Sequence, residues 1–518
     1  MDRLKRFFIN GILMTAVALA VRYVAVSFNV YIANRIGAVA MGLFTLISSV
    51  YGFALTLATS GISLATTKLV SEALGLGTTR KGYATEATVR GIMKKSLLFA
   101  FCVSFVTAIG LFSLSGVIGE RLLGARETVF PLKILALSLP PIALSSSLSG
   151  YFTAIRRVHK NATVQVISQA LRIYLCVVLL GYVIIDDMQS ACVVLVLGTT
   201  LAEIVAFSVH GLLYLWERRG KKDGAARPDN ALVRRLLPIT VPTALSAYMR
   251  SALVTVEHLL IPYGLEKSGA SRDISLAAYG TVHSVVFPLV LFPSAISSAF
   301  AGLLVPEVSE SDAARDKARI ERIVCRVLKT VLLYSVGVAG VMICLAGELG
   351  SVLLEASDTA KYIAIIAPLI PIMYLDTSVD SILKGLGHQL YSMIVNIADA
   401  SLSVVLVWIL LPRLGIMGYM ITVYFTEIVN AALSIVKLLS VTHVKVRLLD
   451  WIVKPLVCII SATLITDRML TAFSSGPLSR TEVFGHIALI CIIYAALLFL
   501  CKALSFKKIK RSVVNFFR

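Results

Sequence analysis

The sequence predicts an all-α polytopic membrane protein of about fourteen transmembrane helices. Two six-helix lobes are expected as parallel repeats, followed by two further C-terminal helices. Three observations predict this. Of the 518 residues, 58% are hydrophobic and 15% charged, against about 45–50% and about 25% in a soluble domain. Apolar runs recur along the chain, each long enough for the roughly 20 residues that a bilayer crossing needs, and none shows the period-two alternation of a membrane β-barrel. The 49 Lys and Arg residues also divide unevenly between alternate loops. This composition excludes a soluble enzyme, a disordered chain and a nucleic-acid-binding module.

Taken in order, the first span covers 8–33, with Arg22 near its centre. It outlasts the 7–15 residues of a signal-peptide core and is read as a retained helix. Spans 38–66 and 96–118 follow, then 129–154 with Ser145, Ser146, Ser147 and Ser149. Span 162–184 carries Arg172 and span 190–216 carries Glu203. The polar stretch 217–230, with Gly and Pro, reads as a flexible cytoplasmic linker. Span 236–263 carries Arg250 and Glu257, and spans 277–303 and 328–346 come next. Span 362–383 carries Asp376 and Asp380, 391–411 carries Asp399, and 416–436 carries Glu427. Spans 449–466 and 484–505 end the membrane portion. The expected domains are therefore a lobe at 1–216, the linker 217–230, a lobe at 231–440, appended helices at 447–505 and a basic tail at 506–518.

Fourteen spans put both termini on one side, and basic residues accumulate in cytoplasmic loops. With the N-terminus cytoplasmic, 36 of the 49 basic residues fall in cytoplasmic segments, 10 in external ones and three, Arg22, Arg172 and Arg250, within spans. Omitting one helix would exchange the sides of every later loop and blur this bias. The net charge of +20 is thus mostly a property of the cytoplasmic face, which is attracted to anionic lipid head groups.

The chain also reads as a duplication. Arg22 falls opposite Arg250, Gly42 opposite Gly280, Val70-Ser71-Glu72 opposite Val308-Ser309-Glu310, Pro140 opposite Pro371, and Glu203-Ile204-Val205 opposite Glu427-Ile428-Val429. Six helices per copy is an even number, so the second copy enters from the same face and the repeats are parallel. The last two spans have no counterpart.

A charge facing lipid at mid-membrane costs about 2.5–3.5 kcal/mol even on the lenient insertion scale. Arg22, Arg250, Arg172, Glu203 and Glu427 are therefore expected to face a water-filled cavity or one another. Arg22 and Arg250, at matching depths in the two copies, form a candidate receptor for phosphate oxygens, because a guanidinium offers a two-pronged fork. Arg172, Glu203 and Glu427 stand between cavity roles and internal pairing, Arg172 with Glu203 above all. Glu257 lies two turns after Arg250 on roughly the same face; a solvated group near the helix end is the plainer reading. Asp376 and Asp380 are four residues apart and share a face. With Asp399 they are candidates for a coupling cation or proton, or for pairing with Lys384. The serines of the fourth span line a sugar path or serve close helix packing. His258 and His283 are expected to be satisfied packing residues. The eight cysteines include no Cys-x-x-Cys and lie mostly in apolar runs, where they pack. With no His-Glu-x-x-His, Cys/His cluster or phosphate-binding Gly-x-x-x-x-Gly-Lys-Ser/Thr, no metal, cofactor or enzymatic activity is expected, only coupling to an ion gradient or membrane potential.

The sequence resembles the multidrug/oligosaccharidyl-lipid/polysaccharide flippase superfamily, and within it the stage V sporulation protein B-like branch. The residues that carry the resemblance are Arg22 with Ile32-Ala33-Asn34-Arg35-Ile36-Gly37, Ser71-Glu72, Pro238-Ile239-Thr240, Glu257 through Leu265, Tyr279-Gly280, Pro288, Pro293, Pro306-Glu-Val-Ser-Glu310 and Lys384-Gly-Leu-Gly387. It implies two six-helix lobes that work by alternating access on a lipid-linked sugar. In lipid II flippases of the superfamily central arginines bind the pyrophosphate, and Arg22 and Arg250 are the matching positions. Glu257 matches an acidic position of the branch, whereas Asn29 stands where a basic residue is expected. The expected function is a flippase that moves an undecaprenyl-pyrophosphate-type oligosaccharide or peptidoglycan precursor from the inner to the outer leaflet in cell-wall or spore-cortex synthesis. Its partners would be that precursor, membrane lipids and cell-wall synthesis proteins, with no nucleic acid, in a bacterial cell membrane with both termini cytoplasmic. The alternative is a cation-coupled multidrug exporter of the same superfamily, for which carboxylates should dominate the cavity; a scaffold would need no charges at mid-membrane.

Overall fold

In the computed structural model the backbone is described for residues 2–77, 83–182, 188–219, 232–353, 358–442, 444, 449–471, 480–501 and 503. Most of the linker 217–230 and the tail 506–518 lie outside the described residues. Every element among those described is helical, as expected where lipid leaves backbone N–H and C=O groups no partner except each other.

Among the described residues, twelve helical stretches are long and apolar enough to cross a membrane. Leu19–Leu74, at 56 residues, holds the latter part of the first expected span and all of the second in one stretch. The expected seventh span falls in α7 (Leu232–Lys267), which is not among the twelve. The protein is thus a multi-pass, all-α membrane protein, though this criterion does not reproduce the expected count of fourteen.

Several helices are interrupted where the sequence permits it. α1 (Asp2–Thr59) kinks at Gly37, with φ 85° and ψ 161°, an extended left-handed conformation that a Cβ would strain. Gly61, at φ 78°, separates α1 from α2 (Ile62–Gly77). The eighth expected span is a composite of α8 (Arg272–Gly280), a π-helical segment Thr281–Val286, α9 (Phe287–Leu291) and α10 (Ser294–Ala313). In between come α3 (Tyr83–Val117), α4 (Val129–Ala154), α5 (Val158–Tyr182) and α6 (Met188–Arg218). The second half continues with α11 (Lys317–Cys344), α12 (Ala346–Leu353), α13 (Asp358–Ile366), α14 (Ile370–Gly385), α15 (Gln389–Leu414), α16 (Ile416–Thr442), α17 (Lys454–Thr471) and α18 (Arg480–Leu500).

The chain packs as two compact units whose limits do not follow the repeat boundaries. One comprises residues 1–35 with 281–518, the other 36–280. Each unit thus takes in the first helix of the other expected lobe. Hydrogen bonds within each unit account for this. In the first unit, α1 reaches the interrupted eighth helix through Asn29 Nδ2 to Ser284 O (3.3 Å) and through Arg22. In the second, α7 docks on the second half of α1 through Tyr248 to Leu57 O (3.1 Å), Ser251 to Thr56 Oγ1 (3.1 Å) and Thr255 to Ser49 O (3.2 Å).

In the second unit Leu69, Val70, Met93, Tyr151, Phe152 and Tyr214 form an apolar core. Elsewhere in this unit Gly42 and Gly280, which the expected repeat sets opposite one another, meet: a Cβ on Gly280 would lie 2.6 Å from Gly42 N and from Ala38 O. In the first unit Ile320, Val324, Leu328, Val379, Leu383, Leu438 and Trp451 form the core. The appended α17 and α18 seat against small residues of α11, Ile459 at Gly340 and Tyr494 at Gly337. The Tyr494 hydroxyl donates to Leu333 O at 2.7 Å.

Candidate functional site

An interrupted helix exposes carbonyls that have lost their partner four residues on, and inside a membrane these must be satisfied by side chains. The break between α9 and α10 meets this requirement within the first unit. Ala295 N turns to Phe292 O (3.2 Å) and leaves Leu291 O to other donors. Leu291 O accepts from the Ser294 hydroxyl at 2.7 Å and from Arg22 Nη1 at 3.2 Å. Tyr374 donates to Val290 O (2.7 Å) and Tyr334 to Pro293 O (2.9 Å), their rings stacked 6.2 Å apart. Arg22 Nη1 also reaches Ser294 Oγ at 2.8 Å. Pro293 was visible in the sequence, but the break and its clasp of Ser294, Tyr334 and Tyr374 were not. The one available signal was a proline with a serine beside it inside an apolar run.

Arg22 is exposed, midway along the first straight segment of α1, and makes no ion pair among the described residues. Arg250 is likewise exposed near the middle of α7, beside Tyr248 and Ser251. Arg172 and Glu203 are each half-buried, on α5 and α6 of the second unit. They interact electrostatically but form no ion pair among the described residues, so the direct pairing considered from the sequence is not made. Glu203 instead accepts from Ser168 at 3.4 Å. Glu257 is half-buried next to His258, whose Nδ1 meets the Tyr279 hydroxyl at 2.7 Å.

The two aspartates of α14 part company. Asp380 pairs with Lys384 at 2.5 Å, whereas Asp376 accepts from Asn430 Nδ2 at 3.1 Å. Asp399 on α15 and Glu427 on α16 are half-buried. His283 Nε2 meets the Tyr419 hydroxyl at 2.9 Å, so both expected packing histidines have partners. Two of the four α4 serines make packing contacts: Ser147 is fully buried and bonded to Ser96 (2.9 Å), and Ser145 meets His210 Nδ1 (2.6 Å). Gly150 approaches the Ser63 backbone so closely that a Cβ would lie 2.6 Å from Ser63 O. No cluster of three or more His, Cys, Asp or Glu able to hold a metal occurs among the described residues.

Comparison with known proteins places this architecture. The family described as polysaccharide biosynthesis protein matches residues 8–312, and the MatE family matches 269–409. Stage V sporulation protein B of Bacillus subtilis (strain 168) is 23% identical over 516 residues, covering 98% of each chain. Among solved structures, lipid II flippase MurJ in an inward closed conformation superposes with a TM-score of 0.68 at 13% identity, over 94% of this chain and 98% of that one. An inward-facing multidrug resistance MATE family transporter superposes with a TM-score of 0.64 at 14% identity, over 82% and 94%. The chain belongs to the polysaccharide biosynthesis protein family, and with it to the multidrug/oligosaccharidyl-lipid/polysaccharide flippase superfamily of membrane transporters.

Proposed function

We propose that this transporter flips an anionic lipid-linked precursor, a polyprenyl-pyrophosphate oligosaccharide or peptidoglycan unit, from the inner to the outer leaflet by alternating access. In this reading it works in a bacterial cell membrane with both termini cytoplasmic, and Arg22 and Arg250 contact the pyrophosphate. The observation that carries the reading is the inequality between the buried-segment charges. Arg22 and Arg250 are exposed and make no ion pair among the described residues. Asp380, Asp376 and Glu203, by contrast, are engaged by Lys384, Asn430 and Ser168. A cationic drug would call for the opposite sign. The family match and the names of the relatives, a sporulation protein and a lipid II flippase, agree with this choice.

The test is the appearance of precursor on the outer leaflet, scaled to the amount of membrane-inserted protein. Arg22→Ala and Arg250→Ala should each abolish transport. The Lys variants should keep part of it, because lysine retains the charge and loses the fork. Full activity in both alanine variants would show that the arginines serve structure and would overturn the reading. The cargo itself would be identified by the lipid-linked intermediate that accumulates when the gene is deleted.

A further inference from the structure

We propose that Ser294 is a positioning residue for the cargo: it holds one edge of the Arg22 guanidinium so that the other presents two parallel donors to an oxyanion. The inference rests on the function proposed above and adds to it the group that aims the arginine. A guanidinium carries five N–H donors in a rigid plane. Both contacts of Arg22 use Nη1, one to Leu291 O at 3.2 Å and one to Ser294 Oγ at 2.8 Å. The Ser294 hydroxyl has a single proton and gives it to Leu291 O at 2.7 Å. Toward Arg22 it can therefore act only as an acceptor, and the three groups close into a triangle in which Arg22 donates twice, Ser294 accepts once and donates once, and Leu291 O accepts twice.

The anchor is buried and the arginine is not: Ser294 is 6% exposed, while Arg22 is exposed. The break in the helix supplies the anchor, since Leu291 O is available only because Ala295 N has turned to Phe292 O. With Nη1 fixed, Nε and Nη2 form the edge that meets phosphate or carboxylate oxygens in pairs. A flexible arginine would lose rotamer freedom on binding, and an anchored one has already lost it.

The experiment uses the full chain in lipid nanodiscs, with farnesyl pyrophosphate as the probe and farnesol as the uncharged control. Monodispersity and unfolding midpoint are followed for every variant. Ser294→Ala should weaken farnesyl pyrophosphate about ten- to a hundredfold, the size of one hydrogen bond to a charged group, and leave farnesol unchanged. Ser294→Cys keeps the volume with a poor acceptor and should show the same loss; Ser294→Thr keeps the hydroxyl and should restore binding. Arg22→Ala should remove the preference for pyrophosphate over alcohol.

If Arg22→Ala loses the preference while Ser294→Ala and Ser294→Cys keep it, the positioning role is wrong and the proposed function stands. Equal weakening of both ligands in Ser294→Ala means a structural role and also overturns the inference. An unchanged preference in Arg22→Ala overturns the proposed function itself. Inorganic pyrophosphate separates the sources of the anion: binding well below that of farnesyl pyrophosphate supports a lipid-linked head, and equal binding overturns it.

Discussion

Replacing Gly42 by alanine places a methyl carbon 2.0 Å from the Leu276 carbonyl oxygen and 2.8 Å from its carbonyl carbon. An ordinary carbon–oxygen contact is about 3.3 Å or more, so the second half of α1 and α8 must separate by more than about 1 Å. The obstruction is backbone, which cannot swing aside as a side-chain tip would. Overpacking of this kind costs about 1–3 kcal/mol. Against it stands the gain of about 0.5–1 kcal/mol from replacing a helical glycine by alanine. Gly52 isolates the second effect, for it lies in the same helix with nothing within 4 Å of its Cβ position. Gly52→Ala should be neutral or slightly stabilising, and Gly42→Ala should fall below it by about 1–3 kcal/mol. Thermal unfolding of the detergent-purified variants, compared at one heating rate, reads the difference. A midpoint for Gly42→Ala equal to or above that of Gly52→Ala would refute the close crossing of these helices.

Three further outcomes follow from contacts within single units. Glu217 is the counter-ion of Lys160 at 2.6 Å, with side chains only 9% and 10% exposed, and of Arg157. Glu217→Ala leaves a buried ammonium uncompensated and should cost about 3–5 kcal/mol, read as a lowered unfolding midpoint and reduced membrane-inserted yield; a loss below about 1 kcal/mol would contradict the burial. The Asp380–Lys384 pair is more exposed, 21% and 45%, and helical pairs of this spacing are worth about 0.3–0.5 kcal/mol. Asp380→Asn should therefore leave the midpoint nearly unchanged, and a large loss would indicate a further role for Asp380. Tyr494→Phe removes the hydroxyl from Leu333 O and should loosen α18 from α11 by about 1 kcal/mol. Faster proteolysis or hydrogen exchange confined to α17 and α18 is the expected readout, and unaltered protection there would count against the contact.

The sequence by itself determined the helical class and the family. Lipid acts on each segment separately, so a run of apolar residues becomes a helix wherever it sits. Charge was equally legible: Arg22, Arg250, Glu203 and Asp380 stand out because few other residues of their spans are ionised. What these charges touch was not legible. Arg22 meets Leu291 and Ser294 at separations of 269 and 272 residues, and no periodicity encodes a contact at that distance. The partner of Asp376 is Asn430 rather than the Lys384 on its own helix face, because a neighbouring helix brought an amide within 3.1 Å. The repeat put Gly42 opposite Gly280, but only packing shows that the two meet. Packing also moved the unit boundaries, so that residues 1–35 join 281–518. The physical reason is that the expected repeat is read along the chain, whereas the packing units record which segments meet in space, as where Arg22 and Tyr374 reach carbonyls of the broken eighth helix.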